Sequence, residues 1–354
     1  MSEKAVSIND VARLAGVSPA TVSNALTGRK KVSAELARKV AAAVRALDYH
    51  PDPFASMLRS GDVKIVAVLV PDLDNPFFTS IVSAVEQCVG DDSYEVIVAS
   101  SRGSDSVERA KLKAMLAWRP AGLIVIPCSD DWSGREIVEG SQTTFVIADR
   151  VTDHSNADTV SIDNEDAGDL AARHLIELGH RNILIAASSL GLANIRQRCA
   201  GAERALRARG LLAPSIVELG LTIDLACGRL SEWFDGNPAP TAIQALTNFT
   251  TLSVLTTMAE RGLRVPEDIS LIGFDDYSWM SARATPLTAI CQPVREMGRL
   301  LWERLGARIR GDRSPAVHVE LPCELRIRAS TAAVRRAPVL ERSPRRQAGS
   351  TAAG

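Results

Sequence analysis

The chain contains no run of eighteen apolar residues, so no segment of it suits a membrane-spanning helix. Its six cysteines (Cys88, Cys128, Cys199, Cys227, Cys291 and Cys323) lie far apart, with no C-x-x-C pair. That spacing excludes a thiolate metal knuckle and a dithiol redox motif, and leaves the cysteines as small buried hydrophobes. Five histidines (His50, His154, His174, His180 and His318) show no metal-binding spacing. There is no G-x-G-x-x-G fingerprint, no G-x-x-x-x-G-K-[ST] loop and no G-x-S-x-G elbow. No residue set therefore asks for catalysis, a metal or a cofactor, and none is expected. The opening MSEKAVSIND lacks the apolar core of a signal segment, so the chain is expected to remain in the cytoplasm. Aromatic residues are only 4% of the total, which makes each one near a strand end conspicuous.

What is present points to more than one domain. A length of 354 residues exceeds an ordinary single core. The net charge of −1 conceals an asymmetry: residues 1–60 hold nine basic and five acidic side chains, a net +4. Residues 335–354 add five arginines against one glutamate, so 61–334 carries −9. A basic head on an acidic body suits a nucleic-acid-binding domain joined to a domain that binds something else.

The head is organised around residues 7–32. Ser7 and Asp10 have capping-box spacing, with Ile8, Val11, Ala12 and Leu14/Ala15 repeating at helical period behind them. Gly16 supplies a turn and Ser18-Pro19 starts a second helix, giving a helix-turn-helix whose second helix suits a DNA major groove. Ser33 caps a third helix, predicted to run to about Leu47, and His50-Pro51-Asp52-Pro53 then breaks the pattern.

From Lys64 the texture becomes that of alternating buried strands and helices. Strands are predicted at 64–70, 94–100, 122–126 and 144–148, with helices at 77–89, 105–118 and 132–139 between them. A second series places helices at 165–178, 196–209, 223–234 and 249–261, and strands at 182–187, 215–219, 241–245 and 269–274. An apolar stretch at 287–291, a helix at 293–310 and a strand near 317–321 complete it. These are two doubly wound α/β units in tandem, with ligands expected at the carboxyl ends of their strands. Beyond 330 the Arg-, Ala-, Ser- and Pro-rich chain is expected to be disordered.

DVARLAGVSPATVSNAL in the head, YHPDPFASML at the hinge and RGLRVPEDISLIGFDD late in the body resemble the lactose/galactose-repressor family of bacterial transcription regulators. The resemblance covers roughly 6–329. It implies a small all-α head at 1–50, a hinge helix at 51–62 and an effector-binding and dimerisation domain at 63–330, with a tail at 331–354. That domain would be periplasmic-binding-protein-like, with lobes at roughly 63–162 plus 292–325, and 163–291. In the recognition helix the resemblance puts Pro19, Ala20 and Asn24 against base edges, with Asn24 the best hydrogen-bonding reader. Ser18, Thr21, Ser23, Arg29, Lys30 and Lys31 would contact phosphates, and Leu58, with Ala55 leaving room beside it, would wedge into the minor groove.

The same resemblance assigns Phe78, Asp149, Asp163, Arg198, Asn248 and Asp275 to an effector site between the lobes, with Trp279 a candidate wall. Each also has a plainer reading: Asp163 as a helix cap, Arg198 as a brace for Asp275, Trp279 as core cover. The chain departs from the family in SSLGLANI, where Leu192 replaces the arginine of purine-binding members, and at Ile223, where others carry an aromatic. Both departures argue against a purine and leave a sugar or sugar acid. The expected protein is a ligand-controlled repressor, a homodimer on a roughly palindromic operator, its dimer contact on the lobes' outer faces near helix 77–89. The alternative is a transport-type sugar-binding protein, which the head and the missing signal segment oppose.

Overall fold

The computed structural model describes residues 6–27, 30–50, 63–151 and 156–334. It divides into two compact units at Lys64/Ile65. The first holds α1 (Ile8–Ala15), α2 (Pro19–Thr27) and α3 (Ala34–Ala46). The Ser7 backbone N–H and hydroxyl both donate to the Asp10 carboxylate, at 3.0 and 2.6 Å, so the expected capping box starts α1. Gly16 at φ 66° ends it in the left-handed conformation that L side chains disfavour. Ser33 Oγ accepts from the Leu36 N–H to start α3. Val11, Ala12, Val22, Val40, Ala43 and Tyr49 close a small core between the three helices.

The second unit contains two six-stranded sheets. In the first lobe β1 (Ile65–Val70), β2 (Glu95–Ser100), β3 (Gly122–Val125), β4 (Phe145–Ala148), β5 (Asp158–Ile162) and β11 (His318–Leu321) run parallel in the order β11-β5-β4-β3-β1-β2. Helices α4 (Pro76–Asp91), α5 (Asp105–Ala117) and α6 (Arg135–Glu139) connect its first four strands, and α12 (Val294–Ile309) leads into β11. In the second lobe β6 (Ile183–Ala187), β7 (Ser215–Glu218), β8 (Ala242–Ala245), β9 (Ser270–Phe274), β10 (Thr288–Cys291) and β12 (Glu324–Arg326) follow the order β12-β10-β9-β8-β6-β7. Among the described residues, only the β12–β10 pair there is antiparallel. Its helices are α7 (Asn164–Glu177), α8 (Ala193–Ala208), α9 (Ile223–Gly236), α10 (Asn248–Glu260) and the short α11 (Ser278–Ser281). Each sheet reverses its strand order beside its first strand, and the carboxyl ends there are where doubly wound folds bind ligands.

Three elements depart from the sequence expectation. β5, with sequence DTVSI, is fully buried although three of its five residues are polar, so no apolar run advertises it. Its burial is possible because Arg308 and Arg304 donate to the Asp158 carboxylate at 2.8 and 3.2 Å, joined by the Val317 N–H at 2.8 Å. β12 belongs to the second sheet, so the first lobe ends at Leu321 rather than near 325. Residues 331–334, expected to open the tail, are held by hydrogen bonds. Ala332 N–H donates to Ser270 Oγ, Val334 N–H to the Leu178 carbonyl, and Thr331 Oγ1 lies 2.9 Å from His174 Nε2. These polar bonds hold a segment that no apolar periodicity marks. Residues 335–354 lie outside the described residues.

The Asp158 staple carries a stability prediction. Burial would raise its carboxyl, but the bonds from Arg308, Val317 N–H and Arg304 outweigh burial and hold it below the ordinary range. A carboxyl depressed in the folded state stabilises above its unfolded pKa, and that contribution is lost as pH falls through the folded value. Asp158→Asn is therefore expected to lose about 2 kcal/mol at pH 7 in urea unfolding, in the range of hydrogen bonds to charged groups. The difference from the parent should shrink below about pH 4, near the ordinary carboxylate pKa.

Candidate DNA interface and effector cleft

In the head, Val22 faces the core with no exposure. At 3.6 residues per turn, Ala20 and Asn24 then fall on the opposite face of α2, one turn apart. Pro19 and Ala20 are exposed and Asn24 is half-buried, so one apolar and one amide side chain share the outward face. Ser18 Oγ accepts from the Thr21 N–H at 3.1 Å and lies 2.9 Å from Thr21 Oγ1, so the exposed Ser18 caps the helix and the half-buried Thr21 hydroxyl braces that cap. Ser23 is half-buried, and Lys30 and Lys31 are exposed beyond the helix. Arg29, Ala55 and Leu58, with the hinge at 51–62, lie outside the described residues.

In the body, the strand ends bring most of the expected cleft residues together. Asp149 follows β4 at φ 59° and Asp275 follows β9 at φ 80°. Both occupy left-handed backbone, which aspartate tolerates better than most residues and which clusters at functional sites. Asp149 is buried, and Oδ2 accepts from Asn194 Nδ2 of the other lobe at 3.4 Å. One turn along α8, the buried Arg198 donates through Nε to Asn164 Oδ1 at 2.9 Å and through Nη1 to the Leu246 carbonyl at 2.7 Å. Its guanidinium carbon sits 3.9 Å from the centre of the Phe274 ring. Asp275 Oδ2 accepts from the Asn248 N–H at 3.0 Å, and Oδ1 from Gln292 Nε2. Asn75 caps α4 and Pro76 opens it, which places the buried Phe78 beneath the Arg150 guanidinium at 5.5 Å.

The electrostatics bind these groups into one cluster. Burial raises the Asp149 and Asp275 carboxyls above their ordinary range, and the Arg198 charge is the largest influence opposing it in each. Burial lowers Arg198, opposed first by Asp149 and then by Asp275. The direct Arg198–Asp275 pairing weighed from the sequence does not form among the described residues; Asn164 and the Leu246 carbonyl hold the arginine instead. Asp163 accepts from the Asp166 N–H at 2.8 Å as the cap of α7. Trp279 packs on the second lobe's core.

Four residues in the cluster were not singled out from the sequence: Arg150, Asn164, Asn194 and Gln292. Arg150 and Gln292 follow or nearly follow a strand's carboxyl end, the one signal that would nominate them. Arg150 Nη1 donates to the Cys128 and Pro127 carbonyls at 2.8 and 3.2 Å. Around this cluster four buried polar atoms have no partner among the described residues: Asp149 Oδ1, Asn248 Oδ1, Gln292 Oε1 and Arg150 Nε.

A helix-turn-helix unit and a two-lobed α/β body with a polar cleft define a ligand-binding DNA regulator. Residues 7–52 match the model of bacterial regulatory proteins of the lacI family, and 172–331 match the periplasmic-binding-protein-like domain. The chain is 30% identical over 329 residues to the HTH-type transcriptional regulator PtxS of Pseudomonas aeruginosa, covering 92% of this chain and 96% of that one. The crystal structure of the lac repressor dimer bound to operator and the anti-inducer ONPF is similar at TM-score 0.82 and 28% identity, over 93% of this chain and all of that one. A ribose-bound lacI-family regulator from Enterococcus faecium is similar at TM-score 0.69 and 25% identity, over 77% of this chain and all of that one. The chain belongs to the lacI family: it is a bacterial transcriptional regulator, not an enzyme. No helix among the described residues is long and apolar enough to cross a membrane.

Proposed function

We propose that this regulator represses from the cytoplasm, as a homodimer on a two-fold operator, and that its cleft binds a small neutral sugar. The observation that carries the ligand is the hydrogen-bond ledger of the cleft. Three buried acceptors, Asp149 Oδ1, Asn248 Oδ1 and Gln292 Oε1, stand against one buried donor, Arg150 Nε. A buried polar atom without a partner is costly, so the favoured ligand donates more than it accepts at this surface. Sugar hydroxyls donate, whereas a carboxylate only accepts. The charges agree, since Asp149 and Asp275 offset Arg150 and Arg198 and leave no surplus cation for an acid. The Phe78 ring lies beside the cluster, and sugar C–H faces pack well on such apolar walls. The ribose bound to the Enterococcus relative supports this class of ligand.

A thermal-shift comparison of D-ribose and other monosaccharides with the matching aldonates tests the reading. A ligand at a hundred times its Kd adds about 2.7 kcal/mol to the stability of the folded state. Neutral sugars are expected to raise Tm; a shift from the acids alone would overturn the assignment.

At the DNA face, the lac repressor dimer on its operator supports paired heads reading two half-sites. Asn24→Ala is expected to relax preference at one base pair per half-site by about 1–3 kcal/mol, because a bidentate amide contact is lost. Lys30→Ala or Lys31→Ala should weaken every DNA alike and flatten the salt dependence. Binding titrations on the selected operator and on random DNA separate the two outcomes. Equal loss for Asn24→Ala on both DNAs would remove its reading role.

A further inference from the structure

Helix α8 carries two of the cleft's working side chains, Asn194 and Arg198, yet it begins without a cap of its own. Its N-cap residue is Leu192, which makes no side-chain cap bond, and its first turn contains no acid. Asn194 Oδ1 meets the Ile195 N–H within the turn at 3.0 Å, which leaves the leading Ala193 N–H and the positive end of the helix dipole to an acceptor from elsewhere. The first lobe supplies it. Asp130, in the loop after β3, accepts from the Ala193 N–H through Oδ1 at 3.0 Å and from Arg196 Nη2 through Oδ2 at 2.7 Å. Arg196 is itself anchored, donating through Nη1 to the Leu190 carbonyl at 2.9 Å, so the pair is fixed at both ends.

We infer that Asp130 is a positioning residue, the trans N-cap of α8, which latches the two lobes in the register that builds the cleft. A cap within one helix stabilises that helix alone. Here the capping carboxylate belongs to one lobe and the capped helix to the other, so the cap free energy becomes lobe-closure free energy. Separating the lobes strips α8 of its cap and breaks the Asp130–Arg196 pair together. Asp130 thereby sets the population of the closed cleft without being one of the cleft's orphaned atoms, and it governs ligand affinity through that population. The inference goes beyond the sugar assignment and does not depend on it, since its test contains no ligand.

Amide hydrogen exchange and small-angle scattering on the full-length protein, with no effector added, provide that test. Asp130→Ala is expected to speed exchange of the peptide spanning 190–197 about tenfold, the usual effect of deleting a cap, and to enlarge the radius of gyration. Asp130→Asn keeps an acceptor for the Ala193 N–H and loses only the ion pair, so exchange should stay within about twofold of the parent. Arg196→Ala should fall between them. If Asp130→Ala leaves either the exchange or the radius unchanged, the latch does not exist. Acceleration spread equally over β6 and β8 would equally overturn it, because that marks general loosening instead of a lost cap.

Discussion

Gly201→Ala is expected to be among the most damaging single changes in the body, costing about 3 kcal/mol or more, the upper end of overpacking effects. Helices α7 and α8 cross backbone to backbone at two glycines. A Cβ on Gly201 would fall on the Glu165 carbonyl and within 2.9 Å of the Asp169 N, and one on Gly168 would fall on the Arg198 carbonyl. Neither obstacle is the end of a flexible side chain, so the helices themselves must part. The consequence reaches the cleft, because α7 contributes Asn164 and α8 contributes Asn194 and Arg198. Urea unfolding should show a lower midpoint, and the Tm rise produced by a neutral sugar should fall with it. Gly228→Ala, on the surface helix α9 where an added methyl meets nothing, is the control; it should match or exceed the parent. Equal behaviour of Gly201→Ala and Gly228→Ala would disprove the close crossing.

Neither glycine announces itself in the sequence, and that contrast runs through the molecule. The head was legible because its signals are local: Ser7 and Asp10 three residues apart, Gly16 at a turn, Ser18 and Ser33 before helices. The central strands were legible because burial on both faces demands continuous apolar runs such as IVAVLV. β5 was not, because its polarity is compensated by Arg304 and Arg308, some 150 residues away. The cleft divides in the same way. Asp149 and Asp275 come from family-like strand ends. The partners of Asp163 and Arg198 are set by what lies next to them in space: a helix N-terminus for one, Asn164 and the Leu246 carbonyl for the other. Asp130 was invisible for that reason too, since a trans cap leaves no S-x-x-E spacing to read.

Arg198→Ala is expected to remove the neutral-sugar Tm shift and to cost about 3 kcal/mol at pH 7, as when one member of a buried ionic group is deleted. The arginine is the main charge opposing the desolvation of Asp149 and Asp275, so both carboxyls should rise further without it. The sign of the pH dependence follows. A carboxyl whose folded pKa lies above its unfolded value near 3.9 binds a proton on folding. Its stabilising contribution is complete below the unfolded value and is lost as pH rises through the folded value. The variant should therefore recover part of its deficit as pH falls from 7 toward 4, the reverse of the disadvantage that acid imposes on most proteins. Urea midpoints for parent and variant across that range make the measurement. Asp149→Asn in the Arg198→Ala background removes one of the two carboxylates that have lost the Arg198 charge and should restore part of the stability at pH 7 while leaving the sugar response absent. Acidification that widened the gap between Arg198→Ala and the parent would show that the guanidinium does not compensate these carboxylates, and the cluster would lose its central charge.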